Sequence, residues 1–165
     1  MMQHLWSVLS KKSIIDSSSN SISILEVVDA FKIDITVPKN LDEIKNISVP
    51  LEFELTSLWY RESSEGEYSF DFKIELQDPS NKKISKFENV LVFPNGKKRL
   101  RSQLKIQGLP INDSGVYKFL ISFKDKKMKA FQNALELPID IILNKKIGEE
   151  LRLLTSKEKE NFNFT

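Results

Sequence analysis

The alternation of apolar and polar residues along this chain predicts an all-β protein. It is a two-layer sandwich of antiparallel sheets with about eight or nine short strands and a short C-terminal helix. Three stretches carry the prediction. Tyr68, Phe70, Phe72, Ile74 and Leu76 alternate with Glu67, Ser69, Asp71, Lys73 and Glu75, a period of two that no helix satisfies. Leu51, Phe53, Leu55, Ser57 and Trp59 alternate with Glu52, Glu54 and Thr56. Asp113-Ser114-Gly115-Val116-Tyr117-Lys118-Phe119 reads as a tight corner leading into a strand whose aromatic residues share one face.

The remaining elements follow in order. Leu5–Leu9 is a short strand, and Ser17-Ser18-Ser19-Asn20 is a polar turn before the apolar run Ser21–Val28. Ile33, Ile35 and Val37 alternate with Lys32, Asp34 and Thr36. A polar connection follows Pro38, with a helical turn at Asp42-Glu43-Ile44, and Ser63-Ser64-Glu65-Gly66 is read as a hairpin. Asp78-Pro79-Ser80-Asn81 places proline where a type I turn wants a preset φ. Phe87–Phe93, Leu100–Ile106 and Tyr117–Phe123 are further strands, with Pro94-Asn95-Gly96 turning between the first two. Leu135, Leu137, Ile139, Ile141 and Leu143 form the last. Pro138 inside it cannot donate to a ladder, so that strand is expected at a sheet edge or with a bulge. Ile147, Leu151 and Leu154 then fall at helical spacing. The chain is therefore expected to divide into a sandwich domain over 1–143 and a helix with a flexible tail over 144–165.

Bulk properties exclude several chemistries. The 165 residues fit one domain, and a chain of about 150 residues buries roughly 70% of its unfolded surface, enough for a self-sufficient core. The absence of cysteine removes disulfides, thiolate nucleophiles and Cys-based metal sites, and suits a reducing compartment. With 25 basic and 23 acidic residues the net charge of +2 gives no strong field for nucleic acid or anionic lipid. The first ten residues lack the charged and apolar regions of a secretory signal, and no run reaches the length of a membrane span. A cytoplasmic protein is expected.

Candidate sites are few. Asp113, Gly115 and Tyr117 read as a structural corner in which the tyrosine hydroxyl bonds back to backbone. Glu52 and Glu54 lie two residues apart on one strand face, about 6.8 Å by strand rise, a spacing found in inverting glycosidases. Glu67, Asp71 and Glu75 read with them as a solvated face. His4 is the only histidine and reads as a surface residue near the terminus; a Ser-His-Asp triad would have to use it. Lys97, Lys98, Arg99 and Arg101 form a basic cluster that could serve as an anion patch. Lys124, Lys126, Lys127 and Lys129 form a second, and neither is interleaved with stacking aromatics. In Leu58-Trp59-Tyr60 both large aromatics cannot enter one core. With Trp59 inside, Leu58 and Tyr60 face outward as a candidate interface. Phe162 and Phe164, at i, i+2, have the spacing of an added strand and are a candidate docking motif.

Two resemblances follow from these residues. The corner resembles that of immunoglobulin-like or C2-like sandwiches, with Phe119 standing where many extracellular members carry cysteine. Ser13-Ile14-Ile15-Asp16, the run Ser21–Asp29, Leu58-Trp59-Tyr60-Arg61-Glu62, Asp78-Pro79, Gln107-Gly108-Leu109-Pro110, Gly115–Phe119 and Leu137-Pro138-Ile139 are similar to an uncharacterised bacterial family of single-domain β-sandwich proteins, over about Trp6–Leu143. That likeness implies a fold and a bacterial or phage setting, and no activity.

The sequence leads to a non-enzymatic interaction or assembly module, partnered by another protein or by a second copy, with no cofactor. Two alternatives remain open: a domain binding a small ligand such as a carbohydrate or lipid headgroup, and a hydrolase using carboxylates alone.

Overall fold

A computed structural model describes residues 1–16, 18–19, 21–38 and 47–148. They form nine strands: β1 (Met2–Ile15), β2 (Ile22–Val27), β3 (Ala30–Pro38), β4 (Ile47–Arg61), β5 (Tyr68–Gln77), β6 (Lys83–Phe93), β7 (Arg99–Ile111), β8 (Gly115–Asp125) and β9 (Gln132–Gly148). A four-stranded sheet in the order β2-β1-β4-β7 faces a five-stranded sheet in the order β3-β9-β8-β5-β6. The expected alternations select the faces. Phe53, Leu55 and Trp59 of β4 meet Phe70, Phe72, Ile74 and Leu76 of β5 in a continuous buried core. The Trp59 ring lies 5.0 Å from Phe70, 5.6 Å from Phe72 and 5.8 Å from Phe123, at tilted or edge-on angles that suit aromatic quadrupoles.

Three expectations are corrected. The sheets are not both antiparallel: β3 runs parallel to β9, Ala30 opposite Asp140 through Pro38 opposite Gly148. Parallel partners so far apart in sequence leave no mark in local alternation. The loop 62–67 is not a hairpin, because β4 belongs to one sheet and β5 to the other. The short C-terminal helix does not begin where expected: β9 continues to Gly148, so Ile147 is a ladder residue opposite Val37. Leu151 and Leu154 lie outside the described residues, as does Asp42-Glu43-Ile44.

Pro138 shows how β9 accommodates a residue without an N–H. It pairs with Lys118 of β8, while the β3 ladder starts two residues later at Asp140. Among the described ladders, β9 has one neighbour at Pro138 and two beyond it.

Candidate functional site

Strands β6 and β7 are each the last strand of their sheet and are joined by the turn at Pro94-Asn95-Gly96, so the two edges lie over one another. At the turn end the core is filled, below a surface cleft of about 440 Å³ lined by Arg61, Tyr68 and Asp125: Phe93 is fully buried, tilted against Phe70 and edge-on to Tyr68. Toward Lys83 it is open. The inward register of β6 runs Phe93, Leu91, Asn89, Phe87, Ser85, opposite Tyr68, Phe70, Phe72, Ile74 and Leu76 of β5. Two polar residues on that face cannot seal a core, and Phe87 is left 38% exposed. On β7 the inward residues Leu104 and Ile106 pack against the core but are only half-buried. The result is a groove of about 320 Å³ between the two edges. Its floor is Ile74, Leu76 and Phe119, its walls are Phe87, Leu104 and Ile106, and Lys86 and Lys105 line it as well.

The two edges are not equivalent. An edge strand presents unpaired N–H and C=O groups on alternate residues. On β6 these are blunted: the Val90 N–H donates to the Asn89 side chain at 2.8 Å, and Lys86 pairs with Glu88 at 2.7 Å. On β7, Gly108 sits at φ +82°, where a Cβ would come within 3.0 Å of Ser48 Oγ. It marks a bulge that turns the last residues, Leu109 and Ile111, fully inward. Between Leu100 and Ile106 β7 is regular, and its inner face carries Leu100, Leu104 and Ile106 with Ser102, whose hydroxyl accepts from the Trp59 indole at 3.2 Å.

The turn end carries a residue whose role the sequence did not disclose. Arg61 is 5% exposed, and among the described residues no carboxylate is bonded to it. Its Nε donates to the Lys97 carbonyl at 2.8 Å. Its Nη2 donates to the carbonyls of Ser64, Gly66 and Pro94 at 3.2, 2.8 and 3.0 Å. The guanidinium lies 5.4 Å from the Phe93 ring centroid. One side chain thus ties both connections that cross between the sheets at this end. Nearby, burial and a bond to the Asp125 carboxylate push the Tyr68 hydroxyl well above the ordinary tyrosine range.

The sequence-named residues fall as follows. Tyr117 is fully buried; the Asn112 and Asp113 N–H groups donate to its hydroxyl at 3.2 and 3.4 Å, and it donates to the Asp113 carbonyl at 3.1 Å. Gly115 has φ +147°, and a Cβ there would meet Pro79 at 2.6 Å, so the corner is locked against the β5–β6 turn. Leu58 and Tyr60 do face outward but are half-buried; their ladder neighbours are Trp6 and Arg101, and Gln3 and Arg99. Lys97, Lys98 and Arg99 are exposed at the turn end, where the Lys97 and Lys98 carbonyls serve Arg61. The Lys124–Lys129 cluster is at the same end, since Asp125 pairs with Phe70. Phe162 and Phe164 lie outside the described residues.

Three expected surface groups are not on the surface. His4 is half-buried edge-on to Trp59 at 4.8 Å, with Nε2 2.7 Å from Ser7 Oγ, itself 2.6 Å from Ser57 Oγ. Burial lowers its pKa against a smaller opposing effect from the Trp6 backbone. A Ser–His contact exists here, facing the core, with no carboxylate bonded to the imidazole. Glu75 is only 8% exposed, held by Lys73 and Lys83 at 2.9 Å each. The Lys83 bond is the first cause of its lowered pKa. Lys73 in turn lies 4.7 Å from the Phe131 ring. Glu54 is held by Ser13, whose N–H and hydroxyl donate to Oε2 at 2.8 and 2.6 Å, while Glu52 is exposed. Ser13 also receives bonds from Thr56 and Gln103, so Glu54 belongs to a polar tie that fastens β1 across β4 and β7.

Among the described residues no three His, Asp or Glu side chains gather as a metal site, and no helix is long and apolar enough to cross a membrane. Comparison with protein-family models and with curated proteins finds no match to this chain.

Proposed function

We propose that this protein is a non-enzymatic interaction module of immunoglobulin-like type. In this reading the β6/β7 seam accepts an extended peptide segment from a protein partner. One observation supports this above the rest: two sheet edges meet over an apolar groove whose walls, Phe87, Leu104 and Ile106, are incompletely covered. A strand entering there gains ladder hydrogen bonds from β7 and buries alternate side chains against the floor, the chemistry of β-strand addition. Burying two large apolar side chains contributes about 3–6 kcal/mol before ordering costs. Glu54 and His4 are held in structural ties and Glu52 is exposed, which favours binding over hydrolysis. The bacterial or phage setting and a cytoplasmic location are part of the same proposal.

Selection of strand-forming peptides from a random library against the full chain tests the reading. Selected peptides are expected to lose binding on Ile106→Arg, a change at a half-buried edge position that leaves the thermal midpoint within a few degrees. Binders indifferent to Ile106→Arg, or no binders, would overturn it. The volume of the groove also favours a second reading, a small apolar ligand. Such a ligand would be sensitive to Ile106→Arg without slowing amide exchange on β7.

A further inference from the structure

Strand β6 reads alike in both directions apart from the sign of its charges. Ile84-Ser85-Lys86-Phe87-Glu88-Asn89-Val90 runs apolar, polar, cationic, aromatic, anionic, polar, apolar, centred on Phe87. Every residue from Ser85 to Val90 is exposed, on both faces of the strand, and among the described residues β5 is its one ladder neighbour. We propose that this edge pairs with the β6 edge of a second copy, antiparallel about a two-fold axis through Phe87. Two five-stranded sheets then become one continuous sheet. The inference goes beyond the peptide reading, since it concerns the outer edge of β6 rather than the seam behind it.

Backbone direction is the first argument. A two-fold axis normal to the sheet sets the strands antiparallel and keeps both cores on one side, an isologous contact that closes on itself. The Val90 N–H bonds to the Asn89 side chain, the mark of a group on the free edge. Backbone groups alternate along a strand, so Ile84, Lys86, Glu88 and Val90 all turn their N–H and C=O to that edge. About Phe87, Lys86 stands opposite Glu88, Ile84 opposite Val90, Ser85 opposite Asn89, and Phe87 opposite itself. The first two are the pairs that exchange ladder bonds. Phe87 meets Phe87 at a non-bonded position, where Cα atoms approach to about 4.5 Å and side chains pack closest.

Charge fixes the partner and the register. Within one chain Lys86 and Glu88 pair at 2.7 Å, and their cross-strand neighbours on β5 are Glu75 and Lys73. Across the axis the row Glu75, Lys86, Glu88, Lys73 alternates in sign over four strands. Moving the axis by one residue sets Lys86 on Lys86 or Glu88 on Glu88, which like-charge repulsion opposes. Moving it by half a residue turns a core face to solvent. A lone edge lysine repels a second copy. A lysine two residues from a glutamate repels it in the neighbouring registers and attracts it in this one.

Sedimentation of the full chain over a concentration series is expected to show a dimer. Lys86→Glu and Glu88→Lys, each alone, should weaken it about tenfold or more, with the thermal midpoint within a few degrees of wild type. An equimolar mixture of the two variants should recover the dimer, because each chain then meets the opposite charges. In this cysteine-free chain Phe87→Cys should cross-link two copies under mild oxidation. Asn89→Cys, held about 14 Å from its counterpart, should not. A monomer at every concentration, a dimer indifferent to both charge variants, or a mixture that fails to recover would overturn the proposal. The peptide reading is separable, because Ile106 lies on β7: Ile106→Arg should abolish peptide binding and leave the dimer intact. A dimer lost on Ile106→Arg and kept on Lys86→Glu would place the interface at the seam and overturn this pairing alone.

Discussion

The two ends of this sandwich solve the same problem differently. At the Arg61 end the core is filled beneath a surface cleft of about 440 Å³: Trp59 and Phe93 are fully buried, their rings pack on Phe70, and a buried guanidinium ties the crossing loops. Toward Lys83 the same two edges stay apart, because β6 turns Ser85 and Asn89 inward where β5 offers Leu76 and Phe72. Filling concentrates stability at one end. The incomplete wall at the other leaves apolar surface beside a strand that has one ladder neighbour among the described residues.

Substitutions should therefore separate the ends, fold at one and recognition at the other. Trp59→Ala should cost about 3–5 kcal/mol, the range for emptying a buried large aromatic site. Chemical denaturation measures it, and a loss under about 1 kcal/mol would deny that the filled end carries the core. Arg61→Gln should cost about 2–3 kcal/mol, since carbonyls of both crossing loops lose their donor. Limited proteolysis should then cut within 62–67 and 94–98 before any other loop. Glu75→Gln should cost about 1–2 kcal/mol at neutral pH by removing the negative charge, and one of the two acceptor oxygens, that hold Lys73 and Lys83.

The pH dependence of that last variant has a definite sign. The folded-state pKa of Glu75 is lowered. Its contribution is therefore present above the ordinary carboxylate value and fades as pH falls through the folded one. The gap between wild type and Glu75→Gln should close as pH is lowered from about 6 to 3. His4 acts higher: its lowered pKa means that the unfolded chain takes up a proton first. Stability is thus lost as pH falls from about 7 toward 5, a slope that His4→Gln should flatten. Leu104→Ala and Ile106→Ala belong to the open end and should cost only about 1 kcal/mol each while weakening peptide binding. Equal losses at Trp59 and Ile106 would erase the distinction between the ends.

What the sequence disclosed is what alternation and turn chemistry encode locally. Tyr68–Leu76 and the Asp113–Tyr117 stretch could be read because every residue agrees with its neighbours on which way to point. Sheet order could not. That β3 lies parallel beside β9 depends on chain segments about a hundred residues apart, and Pro138 fits because of where the β3 ladder begins. Nor could buried polar groups. Ser7, Ser10, Ser13 and Thr56 are buried, though serine and threonine are surface residues by habit. Glu75 reads as solvated until Lys73 and Lys83 are placed around it. The seam had a faint signature, Ser85 and Asn89 on the parity of Phe87, Leu91 and Phe93, whose meaning needs the β5 register.

The most direct test is residue-resolved amide exchange along β7 with a library-selected strand peptide bound to the full chain. If the seam accepts a strand, alternate amides between Leu100 and Gln107 should slow sharply while their neighbours, already bonded to β4, change little. Unchanged exchange along β7, or protection confined to the outward face around Leu58 and Tyr60, would contradict the account.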